Sequence, residues 1–392
     1  MRLISFMGTT DYGETTYTFN DKSCRTRYFV HALGTFERPG SIRVIATQEA
    51  WNKHGTAVSD LLVADGLSRP DRIAVPTGGT APELWEMFGG IVDAIREDDQ
   101  PVLLDITNGL RMQPFFAAAC IQYVQAVIPK PPPVRVVYAE YRKDEGTSPV
   151  WELTPFLDVL SWSRSLMMFL QTGQTDAVVE PTERLARDLN KQWAASGKQG
   201  PQPQLRKLSG AIKRFGDDLT TIRTGSLLLG EQGSARQLAA AIDQTRAEVE
   251  NHLPALALVL DQVSEMVAPV RGDARLSTAA GQRVLLALAR LYQKMRRYSE
   301  AISILREGWI TLHAREGADV PGESYEALLR DCAEAMWKYR VGDVWKEVLD
   351  LRNDIQHAGF RKSPRDKNTF EQQLTKLLTA WEDAINAAQE TR

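Results

Sequence analysis

Residues 102–128 read VLLDITNGLRMQPFFAAACIQYVQAVI. A short Val/Leu run, Val102–Leu104, ends at an aspartate and gives way to a polar loop holding Gly109. A run of that size and composition reads as a buried strand. Gln113 to Ile128 then has the length and apolar content of a helix, and Pro114 fits its first turn, where a missing N–H costs no bond. Being mostly non-polar, this helix is expected to be covered on most sides. Strand, glycine-bearing loop and helix in that order form the unit of an α/β fold with a parallel sheet.

The unit recurs outward from there. Leu3–Met7, Ile42–Ala46, Arg72–Val75 and Val134–Tyr138 are further short apolar runs. Glu83 to Glu97 carries Leu84, Phe88, Ile91, Val92 and Ile95 at helical spacing. Residues 1–150 are therefore expected to form an α/β Rossmann-like domain: a mostly parallel sheet, doubly wound with helices on both faces. The run PKPPP at 129–133 ends the helix and extends the chain into the last strand. Thr154 is a plausible N-cap, with Pro155 at the first helical position.

From 151 to 392 the pattern is helical and no strand of any length is visible. The expected helices are Phe156–Gln171, Pro181–Ala195, Leu208–Leu228, Ser234–His252, Leu256–Val267, Thr278–Arg297, Ser299–Glu316, Ser324–Tyr339, Asp343–His357 and Thr369–Ala388. Loops are expected at 196–204 (SGKQGPQPQ) and Ala268–Ala274. This is an all-α domain of paired helices with no convincing internal repeat.

The 392 residues suit two domains, and 43% hydrophobic with 25% charged residues is the balance of a soluble globular protein. The net charge of −3 gives the bulk surface no attraction for nucleic acid, so any such contact must be a local patch. Cys24, Cys120 and Cys332 are too scattered for a disulfide framework or a zinc site. The apolar start, Leu3 to Met7, lacks the form of a signal peptide, and no apolar run is long enough to span a membrane. A cytoplasmic protein without membrane contact, metal or cofactor is expected.

Three loops that follow strands pair glycine with polar residues: Gly8–Gly13, Pro76–Thr80 and Asp105–Arg111. Ligands of open α/β sheets bind at the C-terminal ends of the strands, where glycine lets the backbone approach and helix N-termini favour phosphate. None of the three matches the G-x-G-x-x-G dinucleotide fingerprint. Singly, each has a plain structural reading: Gly8 as a turn glycine, Asn108-Gly109 as a turn pair, Asp105 as the cap of its own loop, Arg111 as a surface arginine. Glu83 also reads structurally, as an acid in the first turn of its helix. Together the loops would converge on one crevice.

The segments FMGTTDY, VPTGGTAPELWEMF and LLDITNGLRMQP resemble the matching stretches of CRISPR-associated proteins with the CRISPR-associated Rossmann fold (CARF). The family's Asp-Ile-Thr-His-Gly-Phe-Arg run is kept at Asp105, Ile106, Thr107, Gly109 and Arg111, with Asn108 where histidine is common and Leu110 where phenylalanine is common. The resemblance implies a sensor of cyclic oligoadenylate, with cyclic tetra-adenylate the expected ring, bound at the two-fold axis of a dimer. By that likeness Thr9, Thr10, Thr77, Gly78, Asn108, Gly109, Arg111 and Gln113 would line the pocket. Asn108 removes a titratable group but keeps a hydrogen-bond donor and acceptor.

The sharpest signal in the second half is RNDIQHAGF at 352–360. His357 is one of five histidines and ends an amphipathic helix. One reading is a helix-end histidine that satisfies the last carbonyls and the dipole. The other is chemical: histidine exchanges protons near neutral pH, and a nearby arginine stabilises charge on a phosphate. Asn353 and His357 share a helix face, and Arg352 reaches the same mouth with a long arm. Arg352, Asn353 and His357 resemble the active motif of HEPN ribonucleases, and 154–173 and 292–309 also look like that architecture. The likeness implies metal-independent cleavage of single-stranded RNA by attack of the ribose 2′-hydroxyl, at a composite site made by two protomers of a homodimer or a larger assembly. The basic run Phe360–Lys367 is either a solvated face or a grip on the RNA backbone. Two other functions stay open: a ring nuclease that cuts the activator in the N-terminal domain, and a non-catalytic sensor or scaffold.

Overall fold

Arg2–Met7 forms β1, with all six residues buried. Its side chains alternate between two cores, as the period of a strand demands. Leu3 and Met7 join the first, under α1 (Phe29–Glu37) and α2 (Gln48–Ala64). Ile4 and Phe6 join the second, under α3 (Ala81–Arg96) and α4 (Gln113–Val127). A strand buried on both faces must be central in a sheet covered by helices on both sides.

The protein, a computed structural model, is described over residues 1–142, 145–252, 254–272, 275–313, 342–360 and 362–390. It divides into two units, Met1–Ser161 and Trp162–Arg392. In the first, β2 (Thr15–Phe19), β3 (Lys22–Thr26), β4 (Ser41–Ala46), β5 (Asp71–Ala74), β6 (Val102–Asn108), β7 (Val134–Ala139) and β8 (Thr147–Glu152) join β1 in one eight-stranded sheet. The order is β3-β2-β8-β7-β6-β1-β4-β5. Pairing is parallel except between β2 and β3 and between β7 and β8. Five strands fall on the apolar runs. The other three carry weaker signals: β2 and β3 form a threonine-rich hairpin, and β8 contains Pro149, which reads as a strand breaker.

Two expectations change. α4 is not covered on most sides: Gln113, Ala117, Cys120, Ile121 and Val124 are buried, while Phe115 is 78% exposed. Tyr123 and Val127 are exposed with it, and on α3 so is Trp85. Trp85, Phe88 and Tyr123 make a row of edge-on ring contacts at 5.8 and 5.6 Å. Nor does Thr154 cap a helix by its side chain; its hydroxyl accepts from the Val136 amide at 2.9 Å and donates to Glu152, tying the chain to β7 and β8.

In the second unit every described element is helical. After α5 (Thr154–Thr172), which spans the division, come α6 (Asp176–Ala195), α7 (Leu205–Thr220), α8 (Thr224–Leu228), α9 (Ser234–His252) and α10 (Pro254–Val267). Then follow α11 (Ala279–Lys294), α12 (Tyr298–Leu312), α13 (Gly342–Gln356) and α14 (Lys367–Glu390). α6 starts a turn and more before Pro181, which lies inside it. α7 packs on α6 and α9, and α11 on α12 and α14. Trp381 of α14 is fully buried, donates to Gln282 at 2.9 Å and lies flush on Gly308, where a Cβ would sit 1.9 Å from its ring. The helix expected at 324–339, the end of the one expected at 299–316, Cys332 and Arg361 lie outside the described residues. No described helix is long and apolar enough to cross a membrane.

Candidate functional site

β1 has β4 on one side and β6 on the other, so the chain reverses its direction of travel across the sheet between β1 and β6. The C-terminal ends of strands at such a reversal open a crevice. Here it is a cavity of about 290 Å³, lined by the loop Gly8–Gly13, by 107–110, and by Tyr17, Arg27 and Tyr141. The two loops touch: a Cβ on Gly8 would lie 2.9 Å from the Asn108 carbonyl oxygen, so this approach requires glycine. The β1–β6 register shifts between Ser5 and Met7, an irregularity that lies where β6 enters the cavity wall.

Just before the 107–110 wall, β6 carries a buried carboxyl. Asp105 accepts from the Ser5 hydroxyl at 2.6 Å and from the Thr107 amide at 2.7 Å. Burial pushes its pKa up to about 6 against those two bonds. Thr107 is fixed in turn by accepting from the Ala139 amide at 2.9 Å. The Gly8–Gly13 loop is held from within and from α2. The Tyr12 hydroxyl accepts from the Gly8 amide at 2.8 Å, and burial pushes this phenol up to about 12. Lys53 donates to the Thr9 carbonyl at 2.8 Å and pairs with Asp11, holding that carboxyl below its usual range. His54 meets the Thr10 carbonyl at 3.0 Å and the Tyr28 hydroxyl at 3.2 Å; burial lowers its pKa, so the neutral ring donates to Thr10 and accepts from Tyr28.

Of the eight residues expected to line a pocket, Thr9, Thr10, Asn108 and Gly109 come together in this cavity. Gln113 does not: it is 1% exposed, and its side-chain oxygen accepts from the Leu110 amide at 2.7 Å, so it holds the loop from behind. Thr77 and Gly78 are turned to Glu83, whose carboxylate accepts from the Gly78 and Gly79 amides at 3.0 and 3.1 Å. Those amides, Gly79 first, keep Glu83 below the usual carboxylate range. The glycine loop thus closes on its own helix instead of offering an empty anion cradle. Arg111 is exposed and lies outside the cavity lining. Tyr17, Arg27 and Tyr141 escaped the sequence reading because they are brought in by β2, the segment after β3 and the segment after β7, with no local motif.

In the second unit, Arg352, Asn353 and His357 sit on the last turns of α13 and just beyond it. The helix closes through Ala358 and Gly359, both left-handed at φ 52° and 72°, with the Gly359 amide donating to the Asp354 carbonyl at 3.1 Å. Backbone therefore satisfies the helix end, and the exposed His357 ring is not used as its cap. Arg352 is half-buried and donates to Asn353 at 3.3 Å. Asp354, 5% exposed, accepts from the Arg365 guanidinium at 3.0 Å and from its amide at 3.2 Å, and the same guanidinium bridges to Asp350. Lys367 lies 3.6 Å from Glu371. Much of the basic run after the motif is thus committed to carboxylates: Arg365 folds the loop back onto α13. No family model matches the chain, and no curated protein matches it.

Proposed function

We propose that the chain is a metal-independent endoribonuclease that cleaves single-stranded RNA, is activated by a cyclic oligoadenylate, and works as a dimer in type III CRISPR antiviral defence. On this reading unit 1 is a CARF sensor and unit 2 a HEPN nuclease. The observation that carries it is the end of α13: an exposed histidine released from capping, with an arginine steadied by Asn353 in the same helix. In the reaction the ribose 2′-oxygen bonds to the adjacent phosphorus, the P–O5′ bond breaks, and the 2′-hydroxyl proton leaves as the 5′-oxygen gains one. The products are a 2′,3′-cyclic phosphate and a 5′-hydroxyl, and DNA, lacking the 2′-hydroxyl, is spared. Arg352 stabilises charge on the phosphate; His357 moves a proton or orients the reacting groups.

The cavity supports the sensor half. Hydroxyls of Thr9 and Thr10, the amide of Asn108 and the guanidinium of Arg27 suit a phosphate and a nucleobase. At about 290 Å³ it is too small for a ring of four nucleotides, so the ligand spans two copies. The exposed ring row of α3 and α4 is a surface that association would bury. The deciding experiment incubates labelled single-stranded RNA and the protein in EDTA, with and without cyclic tetra-adenylate or cyclic hexa-adenylate. Cleavage that needs one of these rings and leaves 2′,3′-cyclic ends is expected; no cleavage with either ring, or equal cleavage without any, overturns the reading. Following the ring itself in the same reaction tests whether the sensor also cuts it.

A further inference from the structure

A cavity of the second unit lies away from the α13 motif in sequence and has no part in the reading above. It measures about 690 Å³ and runs between α6 and the start of α7, under the connecting loop. Four cations line it: Arg187 and Lys191 from α6, Arg206 and Lys207 from α7. Gln202 and Gln204 of the loop line it too. Glu183 is the carboxylate in the lining, 3.7 Å from Arg187. Lys191 lies 3.5 Å from Asp188. Both are loose, solvent-exposed contacts of little energetic weight, which a phosphate can displace. Arg206 and Lys207 make no ion pair with any described carboxylate. The attraction is not that of a helix N-terminus, because Glu248 already accepts from the Gln204 and Leu205 amides at 2.7 and 3.3 Å.

The groove is also built rather than incidental. Trp193 donates to the Gly200 carbonyl at 3.1 Å, and Lys198 lies over its ring at 5.9 Å, which fastens the loop above α6. The charge is local. Between positions 183 and 214 the sequence has eight Lys and Arg against two Asp and Glu, in a chain of net charge −3. An otherwise mildly acidic protein concentrates its positive potential here, which is how a polyanion is steered to one place.

We propose that this groove binds the sugar–phosphate backbone of single-stranded RNA. Cations at two walls neutralise successive phosphates, and the glutamine amides offer both a donor and an acceptor to base edges or 2′-hydroxyls. The apolar residues of the lining are Ala186, Ala194 and Pro203, too small to insert into a lipid surface. A recess of about 690 Å³ between two helices suits a flexible strand, which can bend its phosphates into it. Binding of a single-stranded polyanion rests on the groove alone; the choice of RNA rests on the function proposed above.

The test is fluorescence anisotropy of a labelled 20-nucleotide single-stranded RNA with the full chain carrying His357→Ala, so that the probe stays intact, over a series of salt concentrations. Combining Lys191→Glu, Arg206→Glu and Lys207→Glu should weaken binding roughly tenfold or more and flatten the log–log salt slope by about 2, three contacts at about 0.7 each. A control with Arg25→Glu, Arg69→Glu and Lys130→Glu should bind within about twofold of the parent, as bulk charge alone acts weakly through salt. Circular dichroism checks folding; if the triple variant is misfolded, Arg206→Gln with Lys207→Gln takes its place, with a smaller loss in the same direction. Parent-like affinity and slope in the groove variant, an equal loss in the control, or binding of phosphatidylserine vesicles but not RNA would each overturn the proposal. RNA held by the groove yet never cut with activator sinks the nuclease reading and leaves the groove; activator-dependent cutting with an unaltered groove variant does the reverse.

Discussion

Asp105 shows how one buried group can set a pH response. It is fully buried, and its pKa rises from 3.8 to about 6 because burial disfavours the charged form. Between those values the folded state holds a proton that the unfolded state has released. Stability from this group is therefore greatest below pH 3.8 and falls as the pH rises toward 6. Across that window the loss is on the order of 2–3 kcal/mol. Asp105→Asn keeps a partner for Ser5 and for the Thr107 amide, so it should fold and lack this part of the pH dependence. Urea melts of both proteins from pH 4 to 7 measure it, and identical pH slopes would refute the assignment. At the other site, His357→Ala and Arg352→Ala should each lower RNA cleavage by at least a hundredfold, the scale of a lost proton-transfer or charge-stabilising group. Asn353→Ala, which only steadies Arg352, should be milder. A folded His357→Ala protein that cuts at the parent rate would remove His357 from the mechanism.

At the scale of the element, α13 owes its register to the loop behind it. Asp354 is nearly inaccessible, and its charge is answered by Arg365, 19% exposed, which also reaches Asp350. Removing the arginine takes the guanidinium away from a nearly buried carboxylate. Arg365→Ala is expected to cost about 2–3 kcal/mol in unfolding free energy, below the full figure for a buried pair because the guanidinium keeps some solvent contact. Arg365→Lys should recover only part of that, since a single ammonium cannot bridge two carboxylates as a planar fork can. Thermal melts rank the three proteins; an alanine variant as stable as the parent would mean that the clamp does not hold the loop.

At the scale of the whole molecule, the question is whether the cavity of the first unit governs the chemistry of the second. A ligand can shift the nuclease only if it prefers the active arrangement, so weaker binding should displace the activation curve without lowering its plateau. Arg27→Gln and Asn108→Ala, both in the cavity lining, should each raise the half-maximal activator concentration about tenfold and leave cleavage at saturation unchanged. Cleavage measured across an activator titration reads both quantities. A lowered plateau at an unmoved midpoint would place these residues in transmission or folding rather than in binding.

The sequence by itself determined what is written in local periodicity: the strands β1, β4, β5, β6 and β7, the helices α3 and α4, most of the described helices of the second unit, and two clusters of polar residues at turns; α1 and α2 went unread. It did so because a strand buried on both faces must be mostly apolar, as Leu3–Met7 is apart from Ser5, and because a glycine such as Gly359 readily closes a helix end. β2, β3 and β8, which lie together on one side of the sheet, were less legible. Thr15–Phe19 buries one face only, and Thr147–Glu152 breaks its pattern with Pro149. Only the tertiary structure decided which polar groups are free to act. Gln113, Thr77 and Arg365 look as available in sequence as Thr10 or His357, yet the first is spent on Leu110, the second on Glu83 and the third on two aspartates. Arg27, with no motif around it, reaches the cavity because β2 and β3 turn the chain back beside β8. Partners that lie far apart along the chain leave no periodic trace, so a side chain's availability is settled by the fold.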